Sequence, residues 1–113
     1  MNYRFMKVDI ATLLSIFDKL LDFPTDKELG IYWFDTTRED GLIVTLSFSI
    51  YECYVSVLVC NDSDVTIASV HMNKCSEIRV FDAKKKHLEI IHDGLSGRCL
   101  LQLTGNTVLV YAE

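Results

Sequence analysis

The sequence predicts an α+β domain in which one N-terminal amphipathic helix packs on a mostly antiparallel meander sheet of seven or eight strands. The first observation is that apolar residues recur at spacings of three and four over residues 9–23, as on one face of a helix. The second is that the period falls to two beyond residue 30, with regularly spaced turn-forming residues. Connections this short leave no room for parallel crossovers, so the strands should be antiparallel. A chain of 113 residues is expected to form a single domain, residues 1–113.

The helix is expected to begin at Asp9 and to end before Pro24. The Asp9 carboxylate can accept hydrogen bonds from the free amides of the first turn, and the residue before a proline avoids helical backbone angles. At about 100° per residue, Asp18 and Asp22 fall on one polar flank of this helix. Residues 25–28 have capping-box spacing but are interpreted as a connector, because so short a helix does not persist alone.

The longest apolar surface comes from residues 41–61, which read as two adjacent strands. Apolar residues at every second position from Leu42 to Ile50 alternate with Ser and Thr, which is typical of a strand with one buried face. A second period-two set runs from Cys53 to Val59. The other predicted strands are residues 30–36, 65–72, 77–81, 87–92, 98–104 and 107–112. These patterns indicate a core and carry no catalytic signature.

The composition narrows the classes of partner. Sixteen acids against eleven bases give a formal charge of -5, so no nucleic acid is expected as a direct ligand, since phosphate binding needs an excess of Lys and Arg. Glycine-rich phosphate loops are absent, and no cofactor is expected. Residues 42–60 are the candidate membrane span, but the Ser/Thr alternation and the central Glu52 argue against a span.

The compartment follows from the N-terminus and the cysteines. Asp9 comes soon after Lys7 and no small-residue cleavage site is present, so the chain does not have the pattern of a secretory signal and is expected to be cytoplasmic. Its four cysteines should then be reduced thiols.

One set of residues has a spacing that metal ligands use. Cys60, His71 and Cys75 give C-x10-H-x3-C, with His71 and Cys75 flanking a turn. The paired C-x-x-C knuckle is absent, and two core thiols with a surface histidine explain the same residues, so no metal is expected. No nucleophile motif surrounds any cysteine. The sequence therefore predicts a protein that is not an enzyme.

The candidate partner-binding site is an acidic surface. Its residues come from the helix flank and the first hairpin: Asp18, Asp22, Asp35, Glu39 and Asp40, with Trp33 beside them as an aromatic anchor. If helix and hairpin are neighbours, this surface would attract a basic protein and imitate a phosphate backbone. Scattered solubilising charge, with the aromatic ring in the core, explains the same residues.

In size, acidity, lack of a catalytic motif and order of elements, the chain resembles the small cytosolic immunity proteins that bacteria make alongside secreted toxins of the contact-dependent inhibition, or polymorphic toxin, type. The closing stretch GRCLLQLTGNTVLVYAE, residues 97–113, is similar to their terminal hairpins. The resemblance implies a stoichiometric inhibitor that binds a cognate protein toxin, often a basic nuclease, and blocks its active site or substrate surface. It assigns no functional role to an individual residue.

Two other interpretations stay open. One is a small-ligand-binding or enzymatic domain with a cavity between helix and sheet, lined by Trp33, Tyr54 and one histidine. The other is a homo-oligomeric structural subunit that uses an exposed strand edge. A bound metal or metabolite would favour the first of these, and one-to-one capture of a basic protein would favour the inhibitor.

Overall fold

A computed structural model describes residues 5–112 of the chain, apart from the side chain of Ala112. The one α-helix in this range is α1, Ile10–Ile16. The strands are β1 Lys7–Val8, β2 Lys19–Leu20, β3 Ile31–Thr37, β4 Ile43–Ser49, β5 Tyr54–Cys60, β6 Thr66–Met72, β7 Glu77–Asp82, β8 His87–His92, β9 Gly97–Gln102 and β10 Leu109–Ala112. Two short 3-10 turns, Lys27–Leu29 and Asp93–Leu95, complete the described elements.

The strands form two five-stranded sheets, not the single meander that the sequence predicts. The first sheet has the order β1-β7-β8-β9-β10 and the second has the order β2-β3-β4-β5-β6. Every pair is antiparallel except β1 with β7, which is parallel. The α+β class and the antiparallel pairing are as expected. The prediction of one sheet was wrong, because period-two alternation shows that one face of a strand is buried but does not show which other surface covers that face.

The helix is shorter than the sequence predicts. Asp9 caps its N-terminus as expected, accepting a hydrogen bond from the Thr12 amide at 3.2 Å. The helix nevertheless ends at Ile16, and Phe17 already has extended backbone angles. Residues 19 and 20 then pair with β3, so the sheet satisfies their backbone groups in place of a helix. The prediction that Asp18 and Asp22 lie on a helix flank is therefore wrong.

One hydrophobic core lies between the inner faces of the two sheets. The second sheet contributes Phe34 and Phe48, whose ring centroids lie 6.1 Å apart, and Phe17, between α1 and β2, packs on Phe34 at a centroid distance of 5.5 Å. The first sheet contributes fully buried side chains such as Leu88, Ile90 and Leu101, and α1 adds Leu13 and Ile16. Each such side chain stabilises the fold by about 1.5–3 kcal/mol relative to an exposed position. No helix in the described residues is long and apolar enough to cross a membrane.

A buried arginine joins the two sheets at one end. The Arg38 side chain is 2% exposed and follows β3, where its guanidinium contacts the Asp40 carboxylate at 3.2 Å. It also donates to the backbone carbonyl oxygens of Gln102 and Gly105, which belong to the end of β9 and the loop after it. The turn of one sheet is thereby tied to a loop of the other.

Candidate functional site

Negative charge is concentrated along one edge of the second sheet. Residues 18–40, which we call the acidic edge, run from β2 through β3 to the following turn and contain seven acids against three bases. One of those bases, Arg38, is buried and paired, so its charge is withdrawn from the surface. β2 is the outermost strand of this sheet, which leaves the acidic edge accessible to a partner.

Two of the predicted residues, Asp18 and Asp35, lie in the same shallow cleft. The Asp18 carboxylate accepts a hydrogen bond from the Thr37 amide at 2.9 Å, and the Asp35 carboxylate accepts one from the Thr45 hydroxyl at 2.6 Å. Lys19 lies opposite Asp35 in the β2–β3 register. The cleft has a volume of about 210 Å³. Both carboxylates therefore hold strands in register as well as carrying charge.

The remaining predicted acids differ in how tightly they are held. Asp40 pairs with Arg38, whose hydrogen bond is the main cause that lowers the pKa of this carboxyl group below its ordinary value. Glu39 and Asp22 are exposed and make no hydrogen bond or ion pair to any described residue. Of the five acids predicted from the sequence, Asp18, Asp35 and Asp40 thus have structural partners, whereas Asp22 and Glu39 have none among the described residues.

Trp33 lies on the outer face of the second sheet, where it is half-buried. Its amide donates to the Thr25 hydroxyl at 2.9 Å, which ties β3 to the loop after β2 within the acidic edge. The Tyr54 and His71 rings lie on the same outer face, with centroids 5.6 Å apart. Helix α1 packs in the core on the other side of the sheet, so these side chains do not line a cavity between helix and sheet.

The three candidate zinc ligands are not brought together. The Cys60 thiol lies 3.9 Å from the Thr66 hydroxyl, whereas His71 bonds to the Ser56 hydroxyl at 2.6 Å. Ser56 and Cys60 lie four positions apart on β5, which corresponds to about 13 Å along a strand. Within residues 5–112, no three His, Cys, Asp or Glu side chains cluster in a way that could hold a metal ion.

Burial also makes two of the thiols poor nucleophiles. Desolvation raises the pKa of Cys75 to about 12 and that of Cys99 to about 11. Cys75 donates its hydrogen to the Met72 carbonyl oxygen. Because the thiolate is the reactive form, neither side chain is suited to covalent catalysis at neutral pH.

We expect iodoacetamide at pH 8 to modify Cys60 more than about tenfold faster than Cys75 and Cys99, because the latter two thiols are buried and protonated. Peptide mapping by mass spectrometry would follow each site over time. In denaturant the three cysteines should react at similar rates. A native Cys75 that reacted as fast as Cys60 would restore a nucleophilic role for it.

Sequence reasoning missed an apolar surface at one end of the molecule. Phe5 and Tyr51 are exposed and contact each other edge to face, with ring centroids 5.0 Å apart. Phe5 also lines a cavity of about 380 Å³ together with Cys75 and Leu95. These residues come from segments far apart in the chain, so no local sequence pattern predicts this apolar surface.

The comparisons with known proteins give one structural match. No protein-family model matches the chain, and no curated protein matches it. The fold is similar to that of one chain in a contact-dependent growth inhibition toxin–immunity protein complex from Klebsiella pneumoniae 342. The match covers 97% of this chain and 96% of that chain, with a TM-score of 0.70 and 14% sequence identity. The resemblance that the sequence indicates is thus confirmed at the level of the fold.

Proposed function

We propose that this chain is an immunity protein, which binds a cognate protein toxin in the cytoplasm and blocks it stoichiometrically. The observation that carries the proposal is the structural match over nearly the whole of both chains to a member of a toxin–immunity protein complex. A match of this extent concerns the complete two-sheet architecture and not one shared motif.

The acidic edge supports a basic toxin, of the nuclease type, as the partner. A nuclease needs a positive groove to hold phosphates, and a surface with seven acids against three bases, one of them buried, offers the complementary charge. Glu39 and Asp22 are the carboxylates best placed to pair with Lys and Arg of the toxin, since they have no partner among the described residues. Trp33, whose carbonyl oxygen accepts a hydrogen bond from the amide of Leu21, next to Asp22 in the chain, is the candidate aromatic anchor.

Binding is favoured over catalysis by the state of the reactive side chains. The two buried cysteines carry raised pKa values, and the carboxylates of Asp18, Asp35 and Asp40 hold backbone or side-chain partners. If the chain were instead an enzymatic toxin, it would need an activated nucleophile, a general base or a metal site. Expression of the chain alone should therefore leave bacterial growth unchanged, and growth arrest would contradict the proposal.

Native mass spectrometry on the affinity-tagged chain from its own host is the direct test. A one-to-one complex with a basic polypeptide is expected, and that polypeptide should arrest growth when expressed alone and lose this effect when co-expressed with the chain. The purified partner should also lose its activity at one equivalent of the chain. Recovery of the bare chain, or of a partner that remains toxic in its presence, would contradict the immunity role.

We expect the double variant Asp22→Asn/Glu39→Gln to lower the association rate with the toxin by about tenfold at low salt, because steering depends on charges near the interface. The free energy of unfolding should not change, since neither carboxylate has a bond to lose. Stopped-flow binding at two ionic strengths measures the effect. The matched control is Asp62→Asn/Asp64→Asn, which removes the same charge from the exposed turn before β6. Equal effects of the two pairs would show that net charge matters and the acidic edge does not.

A further inference from the structure

The two sheets have four edges, and three of them are short. β1 and β2 contain two residues each, and β10 contains four. The fourth edge is β6, with seven residues, and within the described chain it pairs with β5 alone. An edge strand presents unpaired backbone N–H and C=O groups that can pair with another strand. β6 is therefore the long open edge of the described fold.

β6 lacks the charge that usually protects such an edge. Its sequence, TIASVHM, contains no Asp, Glu, Lys, Arg or Pro. A bulge at Ile67 interrupts the register with β5, but residues 68–72 form a regular ladder. At the bulged end, Val65 and Ile67 are 55% and 57% exposed. The strand thus combines an open backbone with uncovered apolar side chains.

We propose that β6 pairs antiparallel with β6 of a second copy of this chain, so that the two second sheets join into one continuous sheet across a two-fold axis. Two identical antiparallel strands place the same residues on both sides, which closes the contact as a dimer. Five residues per copy can enter the ladder before the bulge, and the apolar side chains at its end add buried area.

Charge favours a second copy as the occupant of this edge. The chain carries a formal charge of -5, so most of its surface repels an identical molecule. The acidic edge lies at the opposite side of the same sheet, four strands away, or roughly 19 Å at about 4.8 Å per strand. Two uncharged β6 strands can therefore meet while the acidic edges point apart. A strongly basic partner would find no acidic side chain on β6.

The test is the mass of the untagged full chain in solution between about 1 and 100 µM, measured by analytical ultracentrifugation. The wild type should approach twice 12.9 kDa as concentration rises. Ser69→Lys, at an exposed position in the regular ladder, should weaken the dimer by about 10- to 100-fold, because a ladder of residues 68–72 places the two lysines as diagonal neighbours on one face, where like charges repel. Ser15→Lys is the matched control on α1 and should dimerise like the wild type.

A mixture of Ser69→Lys and Ser69→Glu separates lost pairing from lost folding. Each variant alone should be monomeric, and the mixture should form a heterodimer through opposite charges. A wild type that stays at 12.9 kDa over the whole range would overturn the proposal. So would a Ser69→Lys dimer as tight as the wild type, or protection of the β6 amides from hydrogen exchange only when a basic polypeptide is bound. The mass measurements use this chain alone and do not depend on toxin inhibition, so the immunity role can fail or hold separately.

Discussion

Arg38→Ala should lower the free energy of unfolding by about 2–4 kcal/mol, because it removes the hydrogen-bond donor of two backbone carbonyl oxygens. The acceptors that lose their donor are the carbonyl oxygens of Gln102 and Gly105, which are reached by a side chain that is only 2% exposed. The substitution also removes the guanidinium that joins the end of β3 to the loop after β9. Chemical denaturation at one fixed protein concentration measures the effect, because association would otherwise add to the apparent stability.

Arg38→Lys is the matched control for this prediction. It keeps a positive charge and most of the aliphatic chain, but an ammonium group cannot reproduce the planar fork that reaches two carbonyl oxygens and a carboxylate. We expect the free energy of unfolding of Arg38→Lys to lie between those of the wild type and Arg38→Ala. If Arg38→Ala unfolded within about 1 kcal/mol of the wild type, the guanidinium would not be a structural tie between the sheets.

The strands were predictable because their signal is local. Each of the eight predicted segments overlaps one of the longer strands, β3 to β10, since alternation and turn residues report directly on one strand and its ends. The two-residue strands β1 and β2 are too short to show a period. β2 also lies within the predicted helix, where Phe17 and Leu20 fit a helical spacing although both face the sheet core. There the pairing with β3 overrides the local pattern.

The site was less predictable because it depends on contacts between distant segments. The sequence marks residues 18–40 as acidic, but it does not show that Asp18 bonds to the Thr37 amide, 19 positions away. Nor does it show that Arg38 turns inward and bonds 64 and 67 positions further along the chain. These contacts decide which carboxylates are hydrogen-bonded within the fold and which are not. The two groups could therefore be distinguished only in the structure.

The second large effect is expected at Gly97, where alanine should lower the free energy of unfolding by about 2–3 kcal/mol. A Cβ atom at this position would lie 2.2 Å from Cε1 of His92. The His92 ring cannot move aside easily, because it is fully buried, stacks on Tyr111 at a centroid distance of 5.0 Å and bonds to Asp93 at 2.8 Å. Gly97 has no positive φ, so overlap and not backbone strain should cause the loss.

A double-mutant cycle can establish that cause. In a His92→Ala background, Gly97→Ala should lower the free energy of unfolding by at least about 1 kcal/mol less than it does in the wild type. The reason is that the smaller side chain at residue 92 leaves room for the added methyl group. Gly94→Ala is the control for backbone strain, since Gly94 has a φ of 67° and no atom within 4 Å of an added Cβ. It should cost about 1 kcal/mol whether or not His92 is present. If the losses caused by Gly97→Ala and His92→Ala were additive in the double variant, overlap with the His92 ring would not be what excludes a side chain at residue 97. The close approach of β9 to His92 would then need another explanation.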